Sequence, residues 1–227
     1  MIAEIRGWSG GLPSCEGTAV VFDIFRCSTT IHCLASREPR ELLLAPRLHG
    51  FGAEEEKCIR DLRIYSELPA QPACVERFDN SPHRALQHPE EAPALVATTS
   101  GTPGIFAARK ARRVLVGSLV SFSALLEKLR SERGPVLLVP ATLPEHRHVE
   151  DAIVAEAVRD ALAGKRSVPE AIEDAIRKIH HSGRPEELHR KLPRGREDVA
   201  ICLSADRFEF VPEARFTPGS DLARLVW

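Results

Sequence analysis

Apolar runs of strand length alternate with segments of helical spacing along this 227-residue chain, and that alternation constrains the fold more than any other feature. Residues 18–25, 41–45, 94–99, 113–118, 135–140 and 207–212 read as strands. Helical periodicity fills the gaps, most clearly at 28–36, 103–110, 122–132, 149–163 and 169–180, with shorter helices expected at 185–191 and 196–204. Such an order belongs to a mainly parallel sheet covered by helices, so the expected fold class is α/β. Between these elements, the proline-rich stretch 68–93 shows little periodicity and reads as an irregular surface excursion.

One domain spanning residues 1–227 is expected at this length, and 43% apolar against 28% charged residues suffice for a sizeable core. A formal net charge of −1 offers no global field to draw nucleic acid or an anionic membrane, so anion specificity has to be local. Six cysteines without a C-x-x-C pair fit reduced thiols and a cytoplasmic location. The N-terminal residues lack a basic start followed by an apolar stretch, and no run approaches the roughly 18 apolar residues of a membrane helix. A homodimer is compatible with a helix-covered sheet, although nothing locates its interface; the final DLARLVW could pack on the core or on a partner.

In LVATTSGTPGIF an apolar strand breaks into Thr98, Thr99, Ser100, Gly101 and Thr102, then restarts as a helix with Thr102 as the expected cap and Pro103 as its first residue. Free amides and hydroxyls at such a helix start attract anions, and Gly101 lets the backbone approach a ligand closely. An ordinary capped helix explains the same residues. In VVFDIFRCSTTI, Asp23 interrupts an apolar strand, and an unpartnered carboxylate there would cost several kcal/mol. Asp23 therefore wants a cation, a metal or hydrogen-bond donors; Arg26 could pair with it or face a substrate anion. A haloacid-dehalogenase site is excluded because Phe25 stands where the second aspartate belongs, and a P-loop because its lysine is missing.

Other strands also end in small or hydroxyl residues: Gly117 and Ser118 after one, Ala141 and Thr142 after another. Ligands of parallel sheets bind at carboxyl ends of strands, so a shared polar cleft is expected there. Near His146, Arg147 and His148, Glu150 and Asp151 would favour a helix dipole, or would help hold a hard cation such as magnesium. Asp79, Asn80, Ser81 and Pro82 read first as a turn, and His180 and His181 before Gly183 as a helix end.

In order, VVFDIFRCSTTI, FDNSP, TTSGT, VLVGSLVSFSAL, VEDA, SGR and DRFEFVP resemble the motifs of the 2-phosphosulfolactate phosphatase family over nearly the whole chain. The resemblance implies a three-layer α/β/α fold with a mainly parallel or mixed central sheet. It also implies a Mg²⁺-dependent phosphatase acting on phosphate esters of 2-hydroxy carboxylic acids in the coenzyme M pathway. Matching positions are Asp23, Arg26, Asn80, Ser81, Thr98, Thr99, Gly101, Thr102, Ser118, Glu150 and Asp151. On that basis Asp23, Glu150 and Asp151 are expected near Mg²⁺, with Asp23, Arg26 and Asp151 as the catalytic set. Arg26 is expected on the substrate carboxylate or phosphate; Asn80, Ser81, Ser118 and the Thr98–Thr102 turn are expected to bind substrate, the turn around the phosphoryl oxygens.

The chain departs from the family pattern where Ser100 and Pro103 replace Asn and Arg, where Pro140 to Thr142 replace C-A-G, and where Ala152 replaces an acid. A relative that keeps the anion pocket as a binding or regulatory module is therefore the alternative to a working phosphatase.

Overall fold

The computed structural model describes residues 3–8, 12, 15–69, 72–141 and 148–227. Its strands are β1 (Ala3–Ile5), β2 (Cys15–Phe22), β3 (Leu42–Leu44), β4 (Arg63–Tyr65), β5 (Glu76–Phe78), β6 (Ala94–Val96), β7 (Ala111–Gly117), β8 (Val136–Pro140), β9 (Glu213–Phe216) and β10 (Ala223–Val226). Its helices are α1 (Cys27–Ala35), α2 (Ala53–Arg60), α3 (Pro82–Ala85), α4 (Gly101–Ala107), α5 (Phe122–Arg130), α6 (Glu150–Leu162), α7 (Val168–His181), α8 (Arg184–Lys191) and α9 (Gly195–Cys202). The strands form one ten-stranded sheet in the order β1-β8-β2-β7-β9-β10-β3-β6-β4-β5. It is mixed, largely parallel and curled, consistent with a three-layer α/β fold.

Two parallel sets make up the sheet. In the first, β1, β8, β2 and β7 run together, and Phe22 stands level with Gly117 on one side and Pro140 on the other. In the second, β3, β6, β4 and β5 run together. Antiparallel β9 and β10 join the sets, so the second runs opposite to the first along the hydrogen-bonded order.

Side-chain alternation assigns each strand two faces. Val21, Val116 and Val139 of the first set share a core with Leu42, Leu44, Ala94 and Val96 of the second, and with Ile31 and Leu34 of α1 and Ile105 and Phe106 of α4. Both sets of strands thus close on α1 and α4. On the opposite face, Val20, Phe22, Leu115 and Leu138 meet α5, α6 and α7, while Leu43, Leu95 and Ile64 meet Ile59 of α2. Burying Val20, Val21 and Phe22 on both faces, each at 0–1% exposure, makes β2 a central strand.

Most expected elements are present within a few residues, with two corrections and one open placement decided. Residues 207–212 are not a strand: Phe208 donates its amide to Val120 O, and its ring and that of Phe210 stack on His32, so the sheet strand begins only at Glu213. The stretch 68–93 is not wholly irregular, since it holds β5 and α3, the latter capped by Ser81 with Pro82 in its first turn. DLARLVW forms β10 within the sheet, with Leu225 buried. No helix among the described residues is long and apolar enough to cross a membrane.

Candidate functional site

Asp23 directly follows β2 and is 6% exposed. Its amide donates to Ser28 Oγ (2.9 Å), and its Oδ1 accepts from the Cys27 amide (3.3 Å), which ties it to the first turn of α1. Its Oδ2 accepts from Ser100 Oγ (3.1 Å), which ties it to the turn after β6. That second approach requires Gly101: a Cβ there would stand 2.6 Å from Asp23 Oδ2 and 2.6 Å from Cys27 Cβ. Burial and then the Glu67 charge push the Asp23 carboxyl up from 3.8 to about 6, with the Cys27 and Ser100 hydrogen bonds opposing and Glu150 adding to the rise.

The Thr98–Thr102 turn braces itself. The Thr98 amide donates to Thr102 Oγ1 (2.9 Å), and the Thr102 amide donates to Thr98 Oγ1 (3.0 Å). Helix α4 begins at Gly101 with Ser100 before it, so Thr102 and Pro103 sit inside the first turn, not at the cap. The Thr102 hydroxyl is spent on Thr98, which is why it does not cap the helix. Thr99 offers its amide (2.8 Å) and its hydroxyl (3.1 Å) to the same Glu67 oxygen.

Among the described residues Arg26 pairs not with Asp23 but with Asp198 (2.6 Å) and Asp79 (3.3 Å). Asp198 is fully buried and also accepts from Ser81 Oγ (2.6 Å) and the His83 amide (3.1 Å), so α9, α3 and α1 are pinned at one carboxylate. Between Asp79 and Ser81, Asn80 is 5% exposed, and its Oδ1 has no hydrogen-bond partner among the described residues. Buried acceptors of that kind are uncommon and call for a ligand or a water.

From the other side, the Asp151 carboxylate accepts from the Ile24 amide (2.7 Å), which brings the start of α6 against the residue next to Asp23. Its neighbour Glu150 is buried against Arg184, whose Nη2 lies 3.3 Å away, and its charge reaches Asp23. Ser118 is fully buried and bonds Thr29 Oγ1 (3.1 Å) at the strand end next to β2, so it supports α1 from below. Thr142, His146 and Arg147 lie outside the described residues.

The sheet therefore brings Asp23, the Thr98–Thr102 turn and Asp151 together, and places Asn80, Ser81 and Arg26 in an adjoining ion-pair cluster. Sequence reasoning did not single out Glu67 or Asp198. Glu67 follows a strand of three residues that shows no period, and Asp198 reads as one of two acids in a helix's first turn. Neither pattern signals a buried or bridging role.

Magnesium commonly takes one or two protein carboxylates and completes its shell with water and phosphate oxygens. Among the described residues no group of three or more His, Cys, Asp or Glu is placed to hold a metal, so an all-protein cage is not built. The donor set fits the sparser arrangement: Asp23 is a buried oxygen donor whose acidic neighbours, Glu67 and Glu150, disfavour its charge and would be relieved by a cation.

Residues 11–216 match the family model described as 2-phosphosulpholactate phosphatase. A protein from Thermoplasma volcanium named probable 2-phosphosulfolactate phosphatase is 27% identical over 194 residues, covering 86% of this chain and 87% of its own. One of the same name from Thermoplasma acidophilum is 22% identical over 196 residues, covering 86% and 84%.

Proposed function

Because the chain belongs to the 2-phosphosulpholactate phosphatase family, we propose that it hydrolyses a phosphate ester of a small 2-hydroxy carboxylic acid with the help of Mg²⁺. The observation that carries this reading is the meeting at Asp23: one buried carboxylate touches the hydroxyl-rich turn through Ser100 and adjoins Asp151 through the Ile24 amide. Asp23 and Asp151 would hold the ion, with Glu150 adding charge beside them. A bound Mg²⁺ would neutralise phosphoryl oxygens and favour attack by water.

The chain's own groups would do the rest. Thr99 and its turn supply an amide and a hydroxyl to the phosphoryl oxygens, donors fixed in place before the substrate arrives. Asn80 offers the buried carboxamide whose Oδ1 lacks a partner among the described residues. Arg26, already balanced by Asp198 and Asp79, would meet a substrate anion as a positioned rather than a free cation. Retained phosphate binding without turnover is the second reading, favoured by Pro103, Pro140 and Ala152 at the departures from the family pattern.

Purified protein assayed with and without Mg²⁺ against a panel of phosphorylated 2-hydroxy acids separates the two. Mg²⁺-dependent phosphate release that disappears in Asp23→Asn is the expected result. Measurable ligand binding with no release overturns the enzyme reading, and release that survives Asp23→Asn overturns the role of Asp23.

A further inference from the structure

The donors that the phosphate cradle offers at Thr99 are already engaged. Glu67 lies two residues past β4 and brings one oxygen to 2.8 Å from the Thr99 amide nitrogen and 3.1 Å from Thr99 Oγ1. An anionic oxygen gripped at once by a backbone N–H and a hydroxyl is gripped as a phosphoryl oxygen would be. The Glu67 side chain is exposed, and the backbone on either side is held independently of it: the Ser66 amide donates to Phe78 O (2.9 Å) and the Leu68 amide to Ser66 Oγ (3.0 Å). Its carboxylate can therefore swing away without breaking the strand pairing behind it.

We infer that Glu67 is an internal stand-in for the substrate phosphate, holding the Thr99 donors until a phosphate ester displaces it. This rests on the reading of the Thr98–Thr102 turn as the phosphate cradle. Displacement follows from chemistry: the single Thr99 N–H serves one strong acceptor, and two anions on the same donors repel one another at close range. The stand-in keeps a polar turn satisfied and in shape, and it sets a threshold that weakly binding anions do not pass. An ester arriving with a divalent cation would pass it, since a cation at Asp23 would offset the negative charge there and at Glu67.

Titration calorimetry with inorganic phosphate in Mg²⁺-containing buffer at fixed ionic strength tests this without any turnover. Glu67→Asp keeps the charge but is one methylene too short to reach Thr99, so phosphate should bind about five- to tenfold more tightly. Glu67→Gln keeps an acceptor within reach of Thr99, but a neutral and weaker one, so it too should bind phosphate more tightly than the wild type. Thr99→Val should lose affinity. If Glu67→Asp binds no more tightly while Thr99→Val weakens binding, Glu67 is only a brace, and the inference falls while the cradle stands. If Glu67→Gln binds more tightly while Glu67→Asp does not, charge alone governs and displacement is wrong. If Thr99→Val changes nothing, the cradle itself is misassigned and the inference falls with it.

Discussion

Replacing Asp23 with Asn removes a charge where burial and acidic neighbours oppose it, yet keeps an oxygen for the Cys27 amide and an amide for the Ser100 hydroxyl. The Asp23 carboxyl is pushed up from 3.8 to about 6, which at about 1.4 kcal/mol per pH unit penalises the ionised form by about 3 kcal/mol. Between those two values the folded chain keeps a proton that the unfolded chain has released. Stability from this group therefore falls as pH rises from 3.8 to about 6, then stays level. His32 works the other way: burial lowers it from 6.5 to about 4, so a similar contribution of about 3 kcal/mol is lost as pH falls through that window. The two slopes nearly cancel in the wild type, and Asp23→Asn uncovers the His32 slope. In urea or thermal unfolding of metal-free protein near neutral pH, Asp23→Asn should be more stable by about 3 kcal/mol, or about 6–12 °C in midpoint for a chain of this size. The difference should vanish near pH 4, and Mg²⁺ should raise the midpoint of the wild type alone. Parallel stability curves for the two proteins across this range, or a less stable variant at neutral pH, would refute the argument.

Gly101→Ala would place a Cβ 2.6 Å from both Asp23 Oδ2 and Cys27 Cβ, so α4 must shift, with about 1–3 kcal/mol lost in unfolding experiments and phosphate release falling sharply; near-normal kcat/KM would contradict the close approach. Asp198→Ala strands buried Arg26, Ser81 Oγ and the His83 amide and should cost about 3–5 kcal/mol in denaturant unfolding. The double variant Arg26→Met with Asp198→Leu should recover much of that stability without recovering phosphate release, which separates the structural share of the pair from the role proposed for Arg26.

What could be read from the sequence followed element length and periodicity. The core of β2, β7 and β8, and helices α5 to α7, carry apolar repeats long enough to register, and Asp23 stood out because a carboxylate interrupts such a run. Helix α2 did not register, because only Ile59 among its residues is buried and its sequence shows no apolar stripe. Strands β4, β5, β9 and β10 are three or four residues long, too short for alternation to distinguish them from loop. The site divides along the same line. Thr98 to Thr102 and Asp23 are local patterns, whereas Glu67 and Asp198 become partners only through contacts 32 and 172 residues away along the chain.

Two parallel sets of strands that oppose each other in a flat sheet would carry their carboxyl ends to opposite edges. Here those ends meet: Asp23 and Arg26 follow β2 of the first set, while Ser100 follows β6 and Asp79 follows β5 of the second, and Ser100 reaches Asp23 as Asp79 reaches Arg26. The antiparallel pairings through β9 and β10 lie between the sets, so five steps separate β2 from β6. At roughly 20–25° of twist per step, the strand direction turns by roughly 100–125° over that span. Nominally opposed strands are thereby brought to cross steeply and converge at one end, with α1 and α4 enclosed between them. The hairpin of β9 and β10 supplies no residue to the site, yet its three antiparallel pairings decide which strand ends face one another. A cluster in which each set contributes one acid and one donor, Asp23 and Arg26 from the first and Asp79 and Ser100 from the second, can assemble only across such a turn, which makes the C-terminal strands as necessary to its geometry as Asp23 itself.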